Sequence, residues 1–278
     1  MTVVVTGATG AVGRHVVQQL IDAGRVVRAV TRNAMGAASA APAEIVGADL
    51  DEPDSLTRAF TGAESLFLLS RPATAVAVAR LAQRCGVSRI VTLTSILADR
   101  EPAGEHHHLR VEHAVESTGL EWTHVRPGMF ASNLLGWGEA IRRTGVVREP
   151  YADAAQTPIH EADVAAVAAA ALLHDGHAGK IYPLSGPQTL IKPEQLAAIG
   201  AALGRQLDFE EIEPDAWRQA QADSVPGFVQ DFLLEIWARS TEAPEPVLST
   251  VQGVTGRPAR TLTEWATDHR EHFGGEFR

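Results

Sequence analysis

Three residue types that usually reveal chemistry are scarce here: the 278 residues include one cysteine, two tyrosines and two lysines. The lone Cys85 excludes an intrachain disulfide. It lies in "RLAQRCGV", near the end of a helical pattern, and reads as a small packed residue rather than a catalytic thiol. Neither Tyr151 nor Tyr182 has a lysine four residues on, and Lys180 and Lys192 both lie far downstream. Positive charge is also short: 24 Lys and Arg stand against 34 Asp and Glu, a net charge of -10. Nucleic acid and anionic membrane both demand a basic footprint, so neither is expected as a partner. An anionic ligand must instead be held by local features. The longest apolar run, "VAAVAAAALL" (164–173), is too short to span a bilayer. The apolar pattern begins at Thr2 with no charged segment before it, so no signal peptide is expected and the chain reads as cytoplasmic.

What is present is a repeating alternation. "TVVVTG" is a short β-branched run ending in glycine, as in a strand buried on both faces. "AVGRHVVQQLIDAG" places Val12, Val16, Val17, Leu20 and Ile21 at helical spacing, with Gly24 as the stop. Further strands are expected at "RVVRAVTR", "AEIVGADL", "AESLFLLS", "SRIVTLTS" and "LEWTHVRP", with helices between them. Such alternation argues for an α/β fold, a doubly wound parallel sheet with helices on both faces. Its strand C-termini share one edge, where open α/β sheets bind ligands. We read residues 1–130 as a nucleotide-binding core and 131–278 as a smaller, mostly helical substrate-binding region interleaved with it, with 155–185 returning to the core. In the last part, "PGFVQDFLLEIWARS" sets Phe228, Phe232, Leu233 and Trp237 on one apolar face, either as packing or as a wall over substrate.

The first turn carries the sharpest signal. Gly7, Gly10 and Gly13 in "TGATGAVG" lie between an expected strand and an expected helix, inside a βαβ unit. The first glycine allows the tight turn, the second lets backbone approach a pyrophosphate, and the third permits close helix–strand packing. The helix N-terminus offers N–H groups and a positive dipole end to phosphate. A dinucleotide is therefore expected. The second strand ends in Thr31, Arg32 and Asn33, with no acid to accept from a ribose 2′-hydroxyl. A guanidinium suits a 2′-phosphate, so NADP(H) is favoured over NAD(H); the plainer alternative for Arg32 is a solvated surface arginine. Arg14 is a second, weaker candidate for the same phosphate.

Together with "GADLDEPDSL", "LFLLS", "VTLTS", "HLRVEHAVESTGLEWTHVRPGMFASNLL", "TPIHEADVAAV" and "GKIYPLSGPQTL", this turn makes the chain resemble, over nearly its whole length, the NmrA-like family of atypical short-chain dehydrogenases/reductases. The bacterial branch similar to NADPH-dependent quinone reductases and triphenylmethane dye reductases is the nearest likeness. The resemblance implies a Rossmann-type core. It places Gly7, Thr9, Gly10, Ala11, Val12 and Gly13 around the pyrophosphate and Arg32 at the 2′-phosphate. Asp49 and Leu50 would edge the adenine, and Leu69 and Ser70 would cover the adenosine ribose. Thr94 and Ser95 would lie beside the nicotinamide ribose, with Pro127, Gly128, Met129 and Phe130 bordering the nicotinamide ring.

The departure from the wider family concerns the proton. Typical short-chain dehydrogenases use a Tyr-x-x-x-Lys pair, which this chain lacks. Its helix after the fifth strand reads "EHHHLRVEH", with His108 and Glu112 four apart. His108 is the candidate catalytic residue, able to orient substrate or supply a proton, against the alternative of packing at the cofactor edge. Three successive histidines, 106–108, point in different directions on a helix and do not chelate one ion, so no metal is expected. His160 and Asp163 match a family motif, Asp163 as a cap or first-turn charge. Asn133 and Trp137 are candidate substrate-pocket residues. Two functions stand at this point. One is a reductase passing hydride from NADPH to an aromatic, quinone-like or other conjugated small molecule. The other is a non-catalytic NADP(H) sensor acting through a protein partner. A monomer or a homodimer is expected.

Overall fold

The computed structural model describes residues 2–34, 42–69, 71–100 and 107–275. Its strands are β1 (Thr2–Val5), β2 (Val26–Thr31), β3 (Glu44–Gly47), β4 (Ser65–Leu68), β5 (Arg89–Leu93), β6 (Glu121–Pro127), β7 (Val146–Glu149), β8 (Lys180–Leu184) and β9 (Asp208–Glu211). The helices are α1 (Gly13–Asp22), α2 (Thr57–Phe60), α3 (Ala75–Arg84), α4 (His107–Glu116), α5 (Gly138–Arg143), α6 (Glu161–Leu173), α7 (Lys192–Leu203), α8 (Pro214–Ala220), α9 (Gly227–Glu242), α10 (Thr250–Thr255) and α11 (Leu262–Asp268). The chain divides into two compact units.

The first unit comprises 1–128, 161–184 and 250–258. Seven strands form one sheet in the order β3-β2-β1-β4-β5-β6-β8, every pair parallel. The doubly wound parallel sheet expected from the alternation is therefore present. Helices α1 and α6 pack on each other, and α6 lies over β4, β5 and β6. On the other side, residues of α2 and α3 close over Val4, Val30, Leu66, Leu68 and Ile90. The strands read as continuous apolar runs because both faces are covered; all four residues of β4 are buried. The same logic explains "VAAVAAAALL". Helix α6 is apolar all round because it is buried nearly all round.

The second unit comprises 129–160, 185–249 and 259–275 of the described chain. It holds the two-stranded parallel sheet β7-β9 and helices α5, α7, α8, α9 and α11. One core gathers Trp137, Ile141, Val147, Leu196, Ile199, Trp265 and Phe273, and a second gathers Ala154, Trp217, Leu234 and Trp237. Helix α9 differs from the sequence expectation. Its buried residues are Gln230, Leu234, Trp237 and Ser240, whereas Phe228 and Phe232 are 76% and 48% exposed. Gln230 is accepted inside because its amide donates to the Val225 carbonyl at 2.8 Å; Trp237 and Leu233 join the core as expected, while Phe228 and Phe232 do not.

One of the two lysines is interior to this unit. Lys192 opens α7, is 2% exposed, and donates from Nζ to Glu149 Oε2 at 2.7 Å and to the Pro150 carbonyl at 2.9 Å. The ammonium also sits 3.3 Å from the Trp237 ring centroid. Burial pushes its pKa down, and Glu149 partly restores it. Glu149 Oε1 in turn accepts from the Trp137 indole at 2.8 Å, and the Lys192 N–H donates to the Ala152 carbonyl at 3.1 Å. The clamp brackets Tyr151, whose φ of 57° is in the left-handed region. Such a conformation persists only where its surroundings over-determine it. Lys192→Met is expected to cost about 3–5 kcal/mol, because it leaves a carboxylate and a carbonyl without their donor. Urea unfolding checks this; a loss below about 1 kcal/mol would contradict the clamp.

Candidate functional site

In the first unit, the sheet changes direction between β1 and β4, the neighbouring strands whose chains run on to opposite ends of the sheet. This switch point is where an open α/β sheet leaves a crevice at its C-terminal edge. Thr6, fully buried, ties the crevice together: its N–H donates to the Phe67 carbonyl at 3.0 Å, and its hydroxyl accepts from the Leu69 N–H at 2.8 Å. Gly7 has φ +61°, and a Cβ there would lie 2.9 Å from Leu69 Cδ2. Gly13 is more tightly constrained, since its Cβ would lie 2.1 Å from the Gly7 carbonyl oxygen. Gly10 donates its N–H to that carbonyl at 2.9 Å. Helix α1 begins after Val12, which supplies no side-chain cap. Among the described residues the Ala11 and Val12 N–H groups find no intramolecular acceptor. The exposed turn through Thr9, Gly10 and Ala11 thus presents free donors at a positive helix end, which suits phosphate.

Arg32 follows β2 on the same edge, exposed and with no ion-pair partner among the described residues. Asp49 follows β3. Its Oδ1 accepts from the Asp51 N–H at 3.0 Å, and its backbone N–H donates to Ser55 Oγ at 3.0 Å, so the carboxylate is held by its own turn. The Leu50 carbonyl accepts from the Thr74 hydroxyl at 2.7 Å. Leu69 is 42% exposed beside Gly7; Ser70 lies outside the described residues. The Arg14 guanidinium, half-exposed, is 3.4 Å from the fully buried Glu161 and so ties α1 to α6. Asp163, buried in the first turn of α6, is a first-turn charge.

Past β5 the edge is built from charge. Thr94, 7% exposed, donates its hydroxyl to Glu112 Oε1 at 2.6 Å. Arg126 of β6 grips the same carboxylate with two bonds, Nε to Oε1 at 2.9 Å and Nη2 to Oε2 at 2.6 Å. Its Nη1 reaches Asp99 Oδ2 at 2.7 Å. Burial pushes Glu112 upward, but the hydrogen bonds from Arg126 and Thr94 outweigh it and hold the carboxyl below its ordinary value. Ser95 turns its hydroxyl to the Leu97 N–H at 3.1 Å. Pro127 ends β6 buried, and the Gly128 N–H donates to the Leu184 carbonyl at 2.9 Å. His108 is half-buried in the first turn of α4, one turn before Glu112. His106 lies outside the described residues, and among those described no group of His, Cys, Asp and Glu is arranged to hold a metal ion.

Below this edge Thr92, His124 and Glu116 line up as hydroxyl, imidazole and carboxylate, with contacts of 2.6 and 3.3 Å. They resemble a nucleophilic triad only in order. Thr92 and His124 are wholly buried, and the Trp122 ring stacks on the imidazole at 4.5 Å, so no substrate reaches them. Burial pushes the His124 pKa down. Tyr182 is also committed, its hydroxyl 2.8 Å from His177 Nδ1.

Residues 7–175 match the family model described as NAD(P)H-binding. The chain belongs to that family. It is 40% identical, over 99% of its own length and 100% of the relative's, to a (4-alkanoyl-5-oxo-2,5-dihydrofuran-3-yl)methyl phosphate reductase of Streptomyces griseus. It is 34% identical to an NAD(P)H azoreductase of Xenophilus azovorans, over 98% of this chain and 99% of the relative. Its fold matches the crystal structure of an NADPH-dependent quinone oxidoreductase from Escherichia coli complexed with NADPH, with TM-score 0.82, 25% identity, and coverage of 97% and 100%. These likenesses agree with the NmrA-like resemblance and make the chain an NAD(P)H-dependent oxidoreductase.

In the second unit of this NAD(P)H-binding protein, the Met129 carbonyl accepts from the Ile159 N–H at 2.8 Å, and Phe130 bridges to Ile159. Asn133 is exposed, with its N–H on the Phe130 carbonyl at 3.0 Å. Trp137 is 6% exposed, its indole held by Glu149. His160 is buried with Nε2 3.2 Å from Asp268. Sequence reasoning missed Arg126, Asp99 and the Lys192 clamp. An arginine inside the buried strand β6, "WTHVRP", is the signal that could have found the first of these.

Proposed function

We propose that this oxidoreductase takes NADPH and passes its hydride to a flat, conjugated small molecule, quinone-like or otherwise electron-poor, with no tyrosine–lysine proton donor. The observation that carries the reading is the glycine turn ending in an uncapped helix, with unpartnered N–H groups on Ala11 and Val12. That turn would hold the pyrophosphate through Gly7, Thr9, Gly10 and Gly13. Arg32 would grip the 2′-phosphate, Asp49 and Leu50 the adenine, and Leu69 and Ser70 the ribose. Thr94, Ser95, Pro127 and Gly128 would border the nicotinamide half; by the family resemblance Met129 and Phe130 would adjoin the ring, and Asn133 and Trp137 are the candidate substrate-pocket residues.

The bound cofactor supplies a hydride, two electrons and one hydrogen, so a quinone-like acceptor needs only one further proton, available from solvent or from His108. The missing pair is therefore no obstacle: what the protein must do is orient and exclude water. A quinone, an azo group and a dihydrofuranone bearing two carbonyls, as named for the relatives, are all polarised π-systems.

The test is NADPH oxidation followed by absorbance with a panel of quinones, azo dyes and cationic dyes. Turnover with several acceptors supports the reading, and tight NADPH binding with none opposes it. For cofactor choice, Arg32→Ala should weaken NADPH by about 30-fold or more, the weight of a charge-assisted phosphate contact, while NADH changes little. Equal losses would remove the 2′-phosphate role.

A further inference from the structure

Resting on the NADPH reading above, we propose that Glu112 fixes the polarity of Thr94, making its hydroxyl an obligatory acceptor for a ribose hydroxyl or carboxamide N–H on the nicotinamide half of the cofactor. Glu112 is a positioning residue in this scheme, with Arg126 and Asp99 behind it.

The direction follows from donor counting. An ionised carboxylate only accepts. Glu112 takes two bonds from Arg126 and one from Thr94, and lies 1% exposed. Thr94 therefore spends its single proton inward, at 2.6 Å, and turns only lone pairs elsewhere. Its backbone is fixed as well, the Thr94 N–H donating to the Val125 carbonyl at 2.9 Å. The hydroxyl thus stands at the C-terminal edge, just past β5, unable to rotate into a donor while Glu112 is charged. Arg126 keeps it charged, and Asp99 in turn engages the third arm of the guanidinium. Helix α4 presents Glu112 one turn after His108, and the anion is turned inward and satisfied. The same polarity denies Thr94 a proton-donor role toward the reduced acceptor.

Glu112→Gln tests this. Arg126 donates to both carboxylate oxygens, and its Nη2 contact is the shorter one; with the glutamine oxygen kept there, the amide nitrogen replaces Oε1 at the loss of the Arg126 Nε bond, donates to Thr94, and turns the hydroxyl proton outward. Fluorescence titration is run with NADPH and with 2′,5′-ADP, which lacks the nicotinamide half. NADPH affinity is expected to fall roughly tenfold, the weight of one reversed hydrogen bond, while 2′,5′-ADP affinity holds. Thr94→Val is expected to give the same selective loss, and combining the two substitutions should add nothing further for NADPH. Parallel loss of both ligands, or additive losses in the double variant, overturns the proposal. Thermal melting of each variant confirms that the folded fraction is titrated. If the parent protein binds 2′,5′-ADP and NADPH equally poorly, it is the NADPH reading that fails, and the variants are not needed to show it.

Discussion

Gly13→Ala should weaken NADPH binding by about 100-fold or more while leaving a folded protein. The added Cβ would meet the Gly7 carbonyl oxygen at 2.1 Å, the Gly7 carbonyl carbon at 2.7 Å and the Ala8 Cα at 3.0 Å. All three obstacles are backbone, so no side chain can swing aside and the turn itself must move. Moving it re-aims the N–H groups that would hold the pyrophosphate; losing two charge-assisted bonds accounts for the expected factor. Gly253→Ala, whose Cβ would meet nothing within 4 Å, is the matched control in helix α10. Titration with NADPH and a melting curve for each variant decide the matter. Unchanged affinity in Gly13→Ala would mean that the turn is not the cradle.

Arg126→Met should remove about 3–5 kcal/mol of stability, because it leaves Glu112 buried without its two-bond partner. The pH dependence separates this from a loss of packing. In the parent, the Glu112 carboxyl is held below its unfolded value of 4.5, so its contribution is present above that pH and is lost as pH falls through the lower folded value. Without Arg126, burial is opposed mainly by the Thr94 bond and the carboxyl rises, so the variant's deficit is expected to be largest near neutrality and to shrink on acidification. His124 titrates in the same region, chiefly through its burial, with Arg126 adding to the downward push and Glu112 opposing it. Its folded pKa is below the unfolded 6.5, so stability is full above 6.5 and declines as pH falls through the folded value. Urea unfolding at several pH values reads all of this. A deficit independent of pH would assign Arg126 to packing. Glu112→Gln combined with Arg126→Met should recover much of the loss, since the uncompensated charge is then gone.

How much the sequence revealed depended on whether a residue's meaning was local. The strands and the glycine turn were legible because burial on both faces writes itself as β-branched runs, and a positive φ at Gly7 or a 2.1 Å approach at Gly13 admits no other residue. The spacing of His108 and Glu112 was visible as a four-residue step on a helix. Glu112's actual partners were not, because Thr94 and Arg126 come from two different strands and meet only in the folded sheet. The burial of Lys192 was not legible for the same reason: Glu149, Pro150 and Trp237 lie far from it along the chain. On α9, hydrophobicity favoured Phe228 and Phe232, yet the buried stripe runs through Gln230, whose hydrogen bond is invisible in one dimension.

The central claim is that the glycine turn holds NADPH for hydride transfer to a conjugated acceptor. Its most direct test is a single anaerobic turnover, mixing the preformed NADPH complex with a stoichiometric quinone and following the nicotinamide absorbance. The account predicts loss of one NADPH per protein chain with formation of one hydroquinone, slowed when the transferred hydrogen is deuterium. NADPH that stays bound and unoxidised across quinones, azo dyes and cationic dyes would contradict it.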